Sequence, residues 1–194
     1  MTFRQRIEAE RPAGTPILRR RKIGDRFRGA IVHYETRDQR DENGGPRLKA
    51  DGRTAKELVV HLLTIRSTMP VGRSGDEWTP DEGTICRLIL KGGAWGQWID
   101  ASKTVDGGVC RGDLLELSTT HADFFKGAGA PVGRSEDEGE IDTARRKGWT
   151  VGYRGSLIIT AGSDQALTDR CNAAYQAMAT DKRTPIADDT EDMW

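Results

Sequence analysis

The sequence of 194 residues predicts an all-β-dominated fold: a five-stranded barrel with long loops, a short connector helix and a C-terminal helix. Three observations carry that expectation. Apolar and polar residues interleave in Ile17 to Asp38 and alternate by face in Ile85 to Lys91, as strands do when one face is in a core, and three further short segments read as strands. Stretches rich in Gly, Pro, Asn and Asp separate them. One late segment alone, with Leu167, Cys171, Ala174, Tyr175 and Met178 apolar, follows the period of a helix over several turns.

Taken in order, Phe3 to Arg11 reads as a short helix ending before Pro12, and residues 1–16 form an N-terminal extension. The first strand lies within Ile17 to Asp38, where Gly29 interrupts the apolar residues Ile23, Phe27, Ile31 and Val32. An internal glycine in a long strand marks a bend or bulge. Asp38 to Thr54 has no periodicity and reads as a loop; Glu57 to Ile65 is the second strand, and Arg66 to Gly83 a further loop. In the third strand Cys86, Leu88 and Leu90 point one way and Ile85, Arg87, Ile89 and Lys91 the other, so one face is core and the other cationic. Gly92-Gly93 ends it, and Trp95 and Trp98 follow at once. Gln97 to Thr104 is the connector helix, broken by Asp106-Gly107-Gly108. Leu114 to Thr120 is the fourth strand, Ala122 to Gly148 the longest loop and Trp149 to Thr160 the fifth strand, which closes a single domain spanning 17–162. Ser163 is placed to cap a helix over 163–180, and 181–194 is a polar, acidic tail expected to be disordered. Pro-Val-Gly-Arg-Ser occurs at 70–74 and again at 131–135, either marking two similar β-ribbon arms or by chance.

Composition limits the function. With 36% hydrophobic and 31% charged residues and 23 glycines, the core is modest and the loops polar. There is no apolar run of membrane-spanning length, and no apolar segment follows the early arginines, so a cytoplasmic protein is expected. Cys86, Cys110 and Cys171 are widely spaced and are expected as reduced, mostly buried thiols. The net charge of zero hides an asymmetry. Four of the 30 acids lie in 185–194, which has no base, so residues 1–184 hold 30 bases against 26 acids. A basic body with an acidic end favours a polyanionic partner.

No catalytic constellation emerges, and no cofactor or metal is expected. His33, His61 and His121 lack ligand spacing, although the first two fall on neighbouring strands where they could touch. The glycines of 127–133 match neither GxGxxG nor a P-loop. The acids at 136–138 and at Asp81-Glu82 read as solvated loop faces.

Five strands with a helical connector after the third, and long loops after the first, second and fourth, match the order of an OB-fold barrel, whose second and third strands and flanking loops bind oligonucleotides. The ending Asp188-Asp189-Thr190-Glu191-Asp192-Met193-Trp194 looks like the acidic, aromatic-ended tip of bacterial and phage single-stranded DNA-binding proteins, with Met-Trp where the bacterial tip has Pro-Phe. From Ile23 to Trp194 the chain resembles the single-stranded DNA-binding proteins of actinobacterial phages. The resemblance implies a role in phage DNA replication and recombination in the host cytoplasm. It also implies recruitment of replication or recombination proteins through Asp188, Asp189, Glu191, Asp192, Met193 and Trp194.

The reading assigns roles by physics. Arg26, Arg28, Arg37, Arg66, Arg87, Lys91 and Arg154 are expected to meet phosphates. Tyr34, Trp95, Trp98, Trp149 and Tyr153 are expected to stack on bases, the alternative for Trp95 and Trp98 being two core residues of one helical turn. Base preference should be weak. The rival readings are a β-barrel virion or assembly protein with interlocking arms, and a metal-dependent nuclease using the loop carboxylates.

Overall fold

The computed structural model describes residues 15–40, 45–73, 76–127 and 129–181. The expected helix at Phe3 to Arg11 and the acidic tail lie outside them. Strands dominate. A mixed eight-stranded sheet has the order β11-β7-β2-β3-β6-β1-β4-β5, and a smaller sheet the order β10-β8-β9. In chain order these are β1 (Ile17–Leu18), β2 (Arg26–Asp38), β3 (Lys56–Ser67), β4 (Val71–Arg73), β5 (Asp76–Trp78), β6 (Ile85–Leu90), β7 (Leu114–Ser118), β8 (His121–Phe125), β9 (Gly133–Ser135), β10 (Thr150–Arg154) and β11 (Leu157–Thr160). The helices are α1 (Gly93–Ser102), α2 (Glu138–Arg146) and α3 (Gln165–Asp181).

β2 organises the large sheet because it pairs with β3 along nearly its whole length and with β7 over Arg26 to Ala30. Its register slips at Arg28/Gly29 and at Ile31/His33. Gly29 is needed at the first slip, since a Cβ there would fall 2.6 Å from the Phe27 ring and 2.8 Å from the Leu63 carbonyl oxygen. Phe27, Ile31, Leu58, Val60, Leu62, Cys86, Leu88, Leu115, Leu117, Leu157 and Ile159 all enter one core. On the opposite face of β2 and β3, Ala30, Val32 and Leu63 pack against Cys171, Leu167, Ala174, Tyr175 and Met178 of α3. The helical stripe read from the sequence is therefore the buried one. Its cap is Asp164, whose side chain accepts from the Leu167 N–H at 3.1 Å, and not Ser163.

Several segments differ from expectation for identifiable reasons. β1 is separate from β2, because the basic run between them folds around a buried carboxylate: Asp25 Oδ2 accepts from the N–H groups of Arg21 (3.2 Å) and Lys22 (3.0 Å). The loop 66–83 contains the β4–β5 ribbon, and the long loop 122–148 contains most of β8, all of β9 and α2. The two copies of Pro-Val-Gly-Arg-Ser each supply a short strand, β4 and β9. The fifth segment splits into β10 and β11, which belong to different sheets. Gly155 is the break, where an added Cβ would collide with the Ser118 backbone carbonyl. α1 starts at Gly93 rather than Gln97, so both tryptophans are helical. Among the described residues no ladder joins β6 to β11, the pair that would close a five-stranded barrel. α1 contacts both strands instead, and Gln97 Nε2 donates to the Gly155 carbonyl at 3.1 Å.

Candidate nucleic-acid interface

The cationic face expected of the third strand is largely occupied by internal partners. Lys91 Nζ and Arg37 Nε lie 2.9 Å and 2.7 Å from the two carboxylate oxygens of Glu57, which is buried on β3. Burial pushes the Glu57 carboxyl up, but the hydrogen bonds and charges of Lys91 and Arg37 outweigh it and hold it below its ordinary value. Arg87 Nε donates to the Thr15 carbonyl at 3.0 Å. An arginine or lysine held in this way is a weak phosphate seat, because phosphate must compete with a carboxylate or carbonyl already in place. Arg154 is likewise paired, its Nε 3.1 Å from Asp123 Oδ2, while Arg134 holds the other oxygen at 2.9 Å.

The expected aromatic platform is also changed. Trp98 is 5% exposed and belongs to the main core, so its ring presents no face to a base. Trp95 packs half-buried against the same core. The i, i+3 spacing of the two therefore reflects a helix lying on the core. Tyr34 is 42% exposed; its ring leans on Trp98 with centroids 5.4 Å apart. Trp149 packs against Phe124 and under Lys147, and the Tyr153 hydroxyl is hydrogen-bonded with Arg145 (2.7 Å) and Glu138 (3.2 Å). Trp78 on edge strand β5 is 42% exposed, and the sequence reading passed over it because it lies in a segment without periodicity.

What the fold does bring together is Arg26, Arg28 and Arg66. β2 and β3 place Arg28 opposite Arg66, β7 places Glu116 opposite Arg28, and β11 places Ile158 opposite Glu116, making one row across four strands. Arg26 sits one step along the same face of β2, opposite Ser118. These residues line an open cleft of about 500 Å³ with Thr68 and Ser156. Arg28 is 3.3 Å from Glu116; among the described residues Arg26 and Arg66 have no ion-pair partner. Three cations and one carboxylate leave the cleft net positive. Comparison with protein-family models, curated proteins and solved structures finds no match for this chain.

The other groups with chemically capable side chains have structural roles. The Asp137 side chain caps α2 by accepting from the Glu140 N–H at 2.9 Å, Glu138 accepts from the Ile23 N–H at 2.6 Å, and Glu82 is 3.4 Å from Arg170. His33 and His61 are register partners with ring centroids 6.2 Å apart. Among the described residues no three His, Cys, Asp or Glu side chains gather to hold a metal ion. Burial pushes the Cys86 thiol up to about 12, against a weaker pull from the Thr64 hydroxyl, so it remains protonated and inert. Cys86 and Cys171 are buried and Cys110 is exposed, in line with the expectation of mostly buried thiols. No described helix is long and apolar enough to cross a membrane. Asp188, Asp189, Glu191, Asp192, Met193 and Trp194 lie outside the described residues.

Proposed function

We propose that this chain binds single-stranded DNA without catalysis and with little base preference, and that an OB-type barrel, opened at one seam and plugged by α1, is its scaffold. The strand order β6-β3-β2-β7-β11, with a helix after β6, supports the scaffold: it is the order of the five OB strands, short of the closing ladder. The observation that carries the binding reading is the cleft of Arg26, Arg28 and Arg66, whose positive charge exceeds its one carboxylate. Phosphates seated there release counterions, so affinity should fall steeply with salt. The cleft itself has no tryptophan or tyrosine, so electrostatics contributes more than stacking, and the exposed Ile158 supplies apolar contact for a base. The acidic segment Asp188 to Trp194, on this reading, recruits replication or recombination proteins in the cell that uses the DNA, as the resemblance to phage single-stranded DNA-binding proteins implies.

The test is fluorescence titration with poly(dT), single-stranded and as a duplex with poly(dA), over a series of salt concentrations. Salt-sensitive binding that favours the single strand is expected. Equal or absent binding of both forms would remove the proposal, and magnesium-dependent cleavage of labelled DNA would replace it with a nuclease.

A further inference from the structure

We propose that the seam between β6 and the β10–β11 corner is a second phosphate site, anchored by Arg20, into which the DNA backbone passes from the Arg26–Arg66 cleft. The proposal rests on the binding reading for its polymer, but the site stands on its own observations. At the seam the end of β6, Gln97 of α1, Tyr153, Arg154 and Arg20 enclose a cleft of about 370 Å³. It lies where a closed barrel would have a β-ladder, so the gap is a product of the fold.

The basic run is divided here. Arg19 and Arg21 both turn to Glu77 on the β5 ribbon, Arg19 at 3.7 Å and Arg21 in a closer ion pair. Arg20 turns the other way, and its hydrogen bond among the described residues goes to the neutral Ser156 carbonyl at 3.3 Å. No described carboxylate pairs with it. Burial weakens its hold on its proton, and repulsion from Arg154 does so further. Asp123 cannot neutralise the pair, because it is shared by Arg134 and Arg154. One guanidinium without a carboxylate, beside a second that shares Asp123 with Arg134, leaves this partly desolvated cleft with an excess of positive charge that favours an anion on Arg20. A guanidinium fork fits two oxygens of a phosphate, and Tyr153 and Gln97, whose hydroxyl and amide N–H already bond Arg145, Glu138 and the Gly155 carbonyl, line the walls.

Continuity with the first cleft comes from Ser156. Its carbonyl accepts from Arg20, it lines the Arg26–Arg66 cleft, and its Oγ is 2.8 Å from that of Ser118 in the same cleft. A backbone that leaves Arg26 therefore has one serine to cross before it reaches Arg20.

The experiment uses the full chain and two probes, (dT)20 and pyrophosphate, on wild type, Arg20→Gln and Arg20→Lys. The Gln97 side-chain amide signal reports seam occupancy by NMR. Pyrophosphate should shift that signal in wild type, and Arg20→Gln should abolish the shift. For (dT)20, Arg20→Gln should weaken binding about tenfold at low salt, the loss of one charged hydrogen-bonded contact, and reduce the salt slope by about 0.7. Arg20→Lys should keep the slope while losing part of the affinity, since an ammonium carries the charge without the fork. A folded Arg20→Gln variant that binds both probes like wild type would overturn the seam site and leave the DNA reading standing. Arg20-dependent pyrophosphate binding without any (dT)20 binding would retain the seam site and sink the DNA reading. Should Arg20→Gln fail to fold, an unmoved Gln97 signal in wild type under pyrophosphate is itself the overturning result.

Discussion

At the scale of single residues, a cation contributes to phosphate binding only to the extent that the fold leaves its charge uncommitted. Arg26→Ala and Arg66→Ala should each reduce the salt slope for single-stranded DNA by about 0.7, whereas Lys91→Ala, whose charge is already matched by Glu57, should change it much less. Titrations at four or more salt concentrations measure this directly; a larger loss from Lys91→Ala would return the site to the third strand. Glu57 itself governs acid stability. Its carboxyl lies below its ordinary value in the folded chain, so the unfolded chain takes up the proton first as pH falls. The stabilisation is complete above the unfolded value and disappears as pH falls through the folded one. Glu57→Gln should therefore cost about 1–3 kcal/mol near neutral pH, and its urea midpoint should converge on that of wild type in acid. A gap that persisted once Glu57 is protonated in the folded chain as well would mean that the loss is one of packing rather than charge. For Trp98 the expectation is loss of fold stability by about 3–5 kcal/mol on replacement by Ala, as for other buried aromatics. A stable Trp98→Ala variant with weakened DNA binding would put that ring in the site after all.

At the scale of elements, the decisive feature is the corner at Gly155. β10 and β11 are separated by Gly155 and Ser156 and belong to different sheets, and the Ser118 backbone packs where a side chain on Gly155 would go. Because the obstacle is backbone in a paired strand, it cannot be relieved by a rotamer change. Gly155→Ala should open the corner and lower thermal stability, with the effect centred on amide exchange of β7 and β11. An unaltered exchange pattern would show that the corner is tolerant. The β8–β9–β10 sheet and α2 have their own core of Ala122, Phe124, Ile141 and Ala144, so the segment read as a loop is a packed subassembly inserted between the fourth strand and β11. Its sequence concealed this because its strands are short and Gly, Pro and acids separate them.

At the scale of the whole molecule, charge is arranged so that 1–184 is basic and 185–194 acidic. A tethered polyanion competes with DNA for the same cations at high effective concentration. Deleting residues 188–194 should thus tighten single-stranded DNA binding at low salt. The difference should fade above about 0.15 M, where the Debye length is about 8 Å. The same deletion should abolish capture of replication or recombination proteins. Weaker DNA binding by the truncated chain would make the acidic segment part of the fold or of the DNA site.

The sequence by itself determined the strand-dominated class, the irregularity at Gly29 and the apolar stripe of α3. Each of these is a local signal, set by periodicity or by one glycine's steric freedom. It determined the excess of positive charge on the body as well, since that is a sum over residues. Tertiary structure alone decided which charges remain available. Glu57 lies more than thirty residues from Lys91 in the chain, yet adjacent strands bring them to 2.9 Å, while Arg26 and Arg66 become neighbours in one cleft through a β2–β3 pairing with two register slips. Trp98 likewise had two readings, stacking on a base or filling the core, and α1 places it in the core. Pairing and burial depend on contacts between distant segments, and a residue's own neighbours in sequence do not encode them.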